Sequence, residues 1–324
     1  MECFPLRCRK QYYYLHVETA EGRTLVRLIR DSMILLLCAC FPSLAWAWGD
    51  LGHETIAYIA AAHLSANAQN HVAQILQADP NDASNVASAM ANASIRPDVE
   101  FRNKFPVSRP WHFVDLCLQD TESNISQRCS NGCVTQKIDE YEGRLRRGEY
   151  DQFAADGDLA FLIHFVGDIH QPLHTATNAD RGGNCVRVSP GGAQAELHAT
   201  WDTTLVNDLE RKLHVQGPEQ LAVKLDSEYK ANPPGSDLAW KSGGTNDVAW
   251  ESTQVARSEI YNRLGLKTEE CQAEFSSCRA APEDVQSENI HLDSNYISRE
   301  TDIVGRQLYI GGMRLASLLN QVWP

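Results

Sequence analysis

The sequence predicts a mainly α fold: a single domain of packed helices with short loop and hairpin regions. Three observations support this fold class. Apolar residues recur at helical spacing in several segments, few segments alternate apolar and polar residues as strands do, and no obvious linker divides the chain. The length of 324 residues suits one large domain or two small ones. We therefore expect one helical domain.

The helical pattern recurs along the whole chain. The predicted helices are, in order, residues 53–78, 134–148, 154–170, part of 217–256, and 304–323. In the segment 154–170, a stripe of apolar residues ends before Pro172, which cannot continue a helix. The Gly-rich segment 181–188 predicts a loop and a short hairpin.

The first 47 residues have the order of a secretory signal. Three arginines between positions 23 and 30 precede an apolar run at 33–40, and alanines follow at positions 45 and 47. The apolar run is shorter than the about 20 residues that span a bilayer. We expect cleavage between Ala47 and Trp48, which leaves a domain of residues 48–324 without a membrane anchor. The protein would then be secreted or periplasmic, and residues 1–32 would be an upstream extension if translation starts at Met33.

The charge balance argues against a general nucleic-acid binder. The whole chain has a net charge of −13, and the leader carries six basic and four acidic residues, so residues 48–324 have a net charge of −15. Polyanions are usually held by Lys and Arg. A role on phosphates would therefore need a local source of positive charge, such as a bound divalent metal.

Six cysteines remain after the leader, and an even number in an exported protein predicts disulfides. Cys129 and Cys133 are close enough in sequence to close a small loop, and so are Cys271 and Cys278. Cys117 and Cys185 would then form the third pair, although the sequence leaves the pairing open.

Four segments are rich in metal-ligand residue types. They are Trp48-Gly-Asp-Leu-Gly-His53, Asp98 with Trp111-His112-Phe113-Val114-Asp115, His164-Phe-Val-Gly-Asp168-Ile-His-Gln-Pro-Leu-His174, and His198-Ala-Thr-Trp-Asp202. His164 and Asp168 are four residues apart on a predicted helix and so share one face. One such pair is more often a surface contact or a buried, satisfied histidine. The four segments together predict metal, and imidazole with carboxylate suits zinc.

These motifs, in this order, resemble those of the single-strand-specific zinc nucleases of fungi and plants, also called 3′-nucleotidase/nucleases. That family is related in fold to zinc-dependent phospholipase C. The resemblance covers nearly all of residues 48–324 and is densest before residue 205. It implies hydrolysis of single-stranded DNA or RNA and of 3′-nucleotides, with 5′-phosphate products and three zinc ions per chain.

The resemblance also implies a ligand set for each zinc ion. The first set is Asp98, His112, His164 and Asp168, and the second is His174, His198 and Asp202. The third is the α-amine and carbonyl oxygen of Trp48 with His53 and Asp168, which would bridge to the first zinc. The amine becomes a ligand only after cleavage before Trp48, the site that the leader pattern indicates independently. Asp98 and Asp168 are the expected catalytic carboxylates.

Substrate contacts follow from the same resemblance. Phe113 would stack on an unpaired base and Asp115 would accept hydrogen bonds from its edge, while Asn184 would help to shape this pocket. Ordinary core packing is the alternative for Phe113. Arg102 is the candidate for a phosphate contact, although the family's basic residue is expected one position earlier, where this chain has Phe101.

Three alternatives remain open at this point, and one of them is an exported, disulfide-stabilised interaction domain in which the His/Asp pairs are incidental. A phospholipase C-like lipid phosphodiesterase could use the same scaffold, but those relatives usually have Glu where this chain has Asp202. A non-enzymatic, exported zinc-binding protein would use closed, fully ligated sites. We expect nucleic acids and nucleotides as substrates and no stable protein partner.

Overall fold

The structure is a computed structural model that describes residues 48–129, 132–150, 152–234, 238–240, 244–271, 278 and 289–324. The expected leader and its cleavage site after Ala47 lie outside the described residues. The helices are α1 (Asp50–Ala62), α2 (Ala66–Leu76), α3 (Ala83–Arg96), α4 (Arg102–Lys104), α5 (Ile125–Arg128), α6 (Val134–Arg147), α7 (Ala154–Asp168), α8 (Leu197–Ala199), α9 (Leu205–Leu213), α10 (Gly217–Ala231), α11 (Thr245–Val255) and α12 (Ser294–Val322). Within the described ranges, no helix is long and apolar enough to cross a bilayer.

Short turns of π or 3₁₀ type connect several helices. The π turns are Pro97–Phe101, Thr200–Thr204 and Ala256–Tyr261, and the 3₁₀ turns are Pro106–His112, Glu122–Asn124 and Pro172–His174. The mainly α fold class is therefore confirmed. The connecting turns matter for function because several of the predicted metal ligands lie in them.

The helix predicted at 53–78 is wrong as a single element, because the chain forms two helices there. The first ends at Ala62, and the side chain of Ser65 starts the second by accepting a hydrogen bond from the backbone N–H of Ala68. Apolar residues keep their helical spacing across this break, which hides it from a periodicity argument. The C-terminal helix begins ten residues earlier than predicted, since Asp293 caps it through the N–H of Tyr296.

Helix α7 lies at the centre of the domain. All twelve residues from Gly157 to Asp168 are buried. Helices α1, α3, α6 and α12 pack against it. On the α6 side, the rings of Tyr141 and Phe161 stack with centroids 5.2 Å apart. This packing places the polar side chains of α7 inside the protein core.

Five short strands occur in the part of the chain that the structure describes. They are β1 (Leu116–Cys117), β2 (Ala176–Thr177), β3 (Arg187–Pro190), β4 (Ala195–Glu196) and β5 (Ile290–Leu292). Strands β1 and β2 pair in parallel, and β3 lies between antiparallel β4 and parallel β5. The loop predicted at 181–188 is present, but the hairpin lies further along the chain as β3–β4, whose turn contains Gly191 and Gly192 at positive φ.

The disulfides differ in part from the expectation. Cys129 is bonded to Cys133 as expected, but Cys117 is bonded to Cys271 and Cys185 to Cys278. The chain after α11 returns to β2, where the Asn178 amide donates to the carbonyl of Lys267 and accepts from the N–H of Glu269. This return brings Cys271 beside β1. Proximity in sequence could not reveal such a long-range contact.

Glu300 on α12 gives the fold a testable pH dependence. Its side chain is fully buried, and burial raises its pKa to about 7 although Arg263 lies 3.0 Å away. The folded state holds the Glu300 proton more tightly than the unfolded chain does. The contribution of Glu300 to the unfolding free energy therefore falls as pH rises from about 4.5 to 7, and it stays constant above pH 7. We expect Glu300→Gln to gain about 2 kcal/mol of unfolding free energy between pH 5 and pH 8 relative to the wild type. Denaturant unfolding at both pH values measures this gain, and Glu228→Gln at an exposed position is the control. The prediction is contradicted if the variant and the wild type differ in unfolding free energy by the same amount at pH 5 and pH 8.

Candidate metal centre

Three groups of buried histidines and aspartates occur among the described residues. We name them the His53 group (His53, His164, Asp168), the Asp98 group (Asp98, His112, His164) and the His198 group (His174, His198, Asp202). Within each group, one ligand-type atom from each residue lies within 4.8 Å of the others. The first two groups share His164, so they belong to one centre.

Helix α7 supplies the middle of this centre, because His164 and Asp168 stand one turn apart on the same face. Helix α1 brings His53 against them, and its ring stacks on that of His164 with centroids 3.9 Å apart. This approach requires Gly167, since a Cβ at that position would lie 2.7 Å from His53 Nδ1. The remaining ligand-type residues lie on short turns and on α8, which surround the C-terminal end of α7.

Asp168 connects the groups. Its Oδ1 lies 3.5 Å from His53 Nε2 and 3.4 Å from His174 Nδ1. Its Oδ2 lies 3.3 Å from His164 Nε2 and 3.1 Å from His112 Nδ1. One fully buried carboxylate therefore faces four imidazoles, two at each oxygen.

Backbone carbonyls fix the orientation of three of the rings. Nδ1 of His164 donates to the carbonyl of Ser94 at 2.6 Å, and Nδ1 of His198 donates to that of Gly182 at 2.6 Å. Nδ1 of His174 donates to the carbonyl of His112 at 3.1 Å. With Nδ1 protonated in each ring, the Nε2 lone pair is free to bind a metal ion.

The polar atoms that lack partners fit a bound cation. Both ring nitrogens of His53, Nε2 of His112, Oδ1 of Asp168 and Oδ2 of Asp202 are buried without a hydrogen-bond partner. Each such atom costs about 1–3 kcal/mol unless something binds it. A metal ion would satisfy several of these atoms at once.

The ionisation states of Asp168 and His164 also suit metal binding, which needs neutral imidazole and charged carboxylate. Burial would raise the pKa of Asp168, but the surrounding histidines, His164 foremost, hold it well below its usual value. Burial lowers the pKa of His164 to about 3, against the opposing effect of Asp168. Both side chains therefore have the required form at neutral pH.

Trp48 lies at the edge of the centre. Its indole Nε1 donates to the carbonyl of Gly167 at 3.0 Å, and the N–H of Gly49 donates to the carbonyl of Asp202 at 2.9 Å. The Trp48 side chain is only 1% exposed. Hydrogen bonds therefore fix Trp48 to Gly167, which precedes Asp168, and fix Gly49 to Asp202.

Several known proteins are similar in sequence to this chain. Residues 48–324 match the family model described as S1/P1 Nuclease. The chain belongs to the S1/P1 nuclease family. It is similar to Nuclease PA3 of Penicillium sp, with 32% identity over 285 residues that cover 85% of this chain and 97% of that protein. It is also similar to Endonuclease 2 of Arabidopsis thaliana, with 28% identity over 289 residues, or 85% and 90% of the two chains. Nuclease S1 of Aspergillus oryzae (strain ATCC 42149 / RIB 40) matches with 33% identity over 172 residues, or 50% and 55%.

The residues expected to contact substrate in this S1/P1 chain lie at different distances from the centre. Phe113 follows His112 directly and is partly exposed, whereas Val114 beside it is buried. Asp115 is also partly exposed. Arg102 lies at the centre itself, since its guanidinium donates to Oδ1 of Asp98 at 3.2 Å. The amide of Asn184 donates to the carbonyl of Arg181 within its own turn.

Gln171 is a site residue that the sequence analysis missed. Its side-chain amide donates to Oδ1 of Asp202 at 2.5 Å, and its carbonyl oxygen accepts from the N–H of Leu173. It therefore orients a carboxylate of the His198 group and shapes the turn that carries His174. Its position between His170 and Pro172, inside a motif rich in ligand types, was the available signal.

Proposed function

We propose that this chain is an exported zinc-dependent phosphodiesterase that cleaves single-stranded DNA and RNA and hydrolyses 3′-nucleotides, giving 5′-phosphate products. The observation that carries the proposal is the buried centre in which Asp168 faces four imidazoles, in a chain of the S1/P1 nuclease family. The domain of residues 48–324 would perform the reaction after removal of the leader, residues 1–47.

Three zinc ions per chain would fit the three groups. Asp98, His112, His164 and Asp168 would hold the first, and His174, His198 and Asp202 the second. Trp48, through its freed amine and carbonyl oxygen, would hold the third with His53 and Asp168. Imidazole-rich sites favour zinc over magnesium or calcium, which prefer oxygen ligands. Bound zinc would supply two effects: it would lower the pKa of a water molecule to near neutrality, and it would neutralise charge on a phosphoryl group.

The chain's own residues would orient the phosphate. Asp98 and Asp168 act as the catalytic carboxylates because their charges fix where the cations and the phosphate can lie. Arg102, whose guanidinium lies 3.2 Å from Oδ1 of Asp98, would contact the phosphate oxygens from beside this carboxylate. This local positive charge offsets the acidic surface that would otherwise repel a polyanion.

Base recognition would explain a preference for single strands. Phe113 is exposed enough to stack on a base, and Asp115 two residues later can accept hydrogen bonds from the base edge. Stacking needs a base whose face is open, which a duplex does not offer. Asn184 would support this pocket through the turn that it stabilises.

A substrate comparison tests the proposal. The purified, processed protein should release nucleotides from single-stranded DNA much faster than from duplex DNA. A chelator should abolish this release, and added zinc should restore it. Phosphatidylcholine is the control substrate. Hydrolysis of the lipid without nucleolysis would favour the phospholipase C-like alternative, and zinc binding without either activity would favour a binding protein. A metal-free, inactive protein would contradict the proposal.

A further inference from the structure

The loop at residues 177–183 has an unusual backbone. Ala179 and Arg181 adopt φ values of 57° and 59°, and Gly182 and Gly183 follow at 61° and 81°. A non-glycine residue in this left-handed region costs on the order of 1–2 kcal/mol. Such a conformation persists only where its surroundings impose it, and it often occurs at functional sites.

Asp180 imposes this conformation from inside the loop. Its carboxylate is fully buried and accepts a hydrogen bond from the Tyr261 hydroxyl, whose single proton is shared between the two oxygens at 3.1 and 3.0 Å. It also accepts from the backbone N–H of Asn178 at 3.0 Å. Tyr261 is itself fully buried at the end of the π turn that follows α11. A rigid helical element thus holds the loop through a single hydroxyl.

The loop directs two carbonyl groups at His198. The carbonyl of Gly182 accepts from Nδ1 of that ring at 2.6 Å, and the carbonyl of Gly183 accepts from its backbone N–H at 3.3 Å. The fit on the other side is equally close, because a Cβ at residue 182 would lie 2.4 Å from the carbonyl oxygen of Leu173. A small shift of the loop would therefore turn the imidazole of His198.

We propose that Asp180 and Tyr261 are positioning residues for the His198 group. Their hydrogen bonds hold the Gly182 carbonyl against Nδ1 of His198, so that Nε2 points toward Asp202, 3.2 Å away, and toward the metal ion that the group binds. This inference rests on the zinc sites of the proposed function. It assigns Asp180 and Tyr261 to the residues that orient metal ligands through hydrogen bonds. Substitution of such residues typically lowers metal affinity by about 10–100-fold.

Zinc affinity and imidazole spectra of Asp180→Asn and Tyr261→Phe test the proposal. In chelator competition, each variant should bind one of its three zinc ions about 10–100-fold more weakly and the other two as the wild type does. In the ¹⁵N spectrum of the zinc-loaded protein, the Nδ1–H signal of His198 should shift relative to the wild type. His164, whose Nδ1 donates to Ser94, should keep its wild-type signal. The double variant should bind this zinc ion no more weakly than the worse single variant does, because both substitutions break the same hydrogen bond between Tyr261 and Asp180.

The matched controls are Asp158→Asn and Tyr309→Phe, which alter a buried aspartate on α7 and a buried tyrosine on α12. Both should keep wild-type zinc affinity. If Asp180→Asn does not fold, the result for Tyr261→Phe is sufficient, because that variant removes only the hydroxyl that donates to Asp180 and keeps the buried ring. Wild-type zinc affinity and an unchanged His198 signal in that variant would overturn the inference, and so would equal weakening of all three ions. A wild-type protein that binds no zinc would instead refute the proposed function.

Discussion

Replacing Asp168 by alanine is expected to lower kcat/KM for single-stranded DNA by at least about 10³-fold. The carboxylate faces four imidazoles and is shared by two of the proposed zinc sites, so its loss removes a ligand from both. Metal ions contribute several kcal/mol of charge stabilisation to such a reaction, and about 4 kcal/mol corresponds to 10³-fold in rate. Steady-state kinetics with zinc analysis of the purified variant measure both effects.

Helix α7 offers a matched control for this variant. Asp158 is also a fully buried carboxylate on α7, but its charged neighbour is Arg144, 3.9 Å away, and it belongs to none of the three metal groups. Asp158→Ala should therefore lower stability while it keeps the zinc content and the activity per folded molecule. If Asp168→Ala kept its full zinc complement and its activity within tenfold of the wild type, the shared-ligand role would be wrong.

Local spacing explains why two His/Asp pairs of this centre could be predicted from sequence, whereas the other ligands were implied only by the family resemblance. His164 and Asp168, like His198 and Asp202, are four residues apart, so helical geometry alone places each pair on one face. The structure then shows pairs from distant segments meeting around one end of α7. Periodicity identified α6 and α7 nearly to their ends for the same reason.

The features that sequence could not supply depend on long-range contacts. The bond from Cys117 to Cys271 spans 154 residues and follows from the return of the chain to β2. The break between α1 and α2 depends on the cap at Ser65, not on hydrophobic spacing. Gly167 lets His53 approach α7, a role that depends on a residue more than a hundred positions away. Each of these depends on which surfaces meet, and a one-dimensional pattern does not contain that information.

A single extra residue before Trp48 is expected to reduce activity by about 10²-fold or more without unfolding the protein. The indole of Trp48 is fixed to the carbonyl of Gly167, and Gly49 is fixed to Asp202, so the position of the chain start is set by contacts that an extension leaves intact. The extension instead converts the proposed amine ligand into an amide, which is a poor zinc ligand. One zinc ion of three should be lost, and a lost contribution of about 3 kcal/mol corresponds to the stated change in rate.

Two forms of the protein, one starting at Trp48 and one with a single alanine before it, allow this comparison. Zinc content, kcat/KM and the thermal unfolding midpoint are measured for both, and a form with one alanine added after Pro324 controls for the extra residue itself. The same experiment separates two roles of Trp48. If the indole alone mattered, by holding α1 against α7, then the extended form would keep three zinc ions and full activity. Only a free amino group that binds metal makes cleavage at that peptide bond a condition for catalysis.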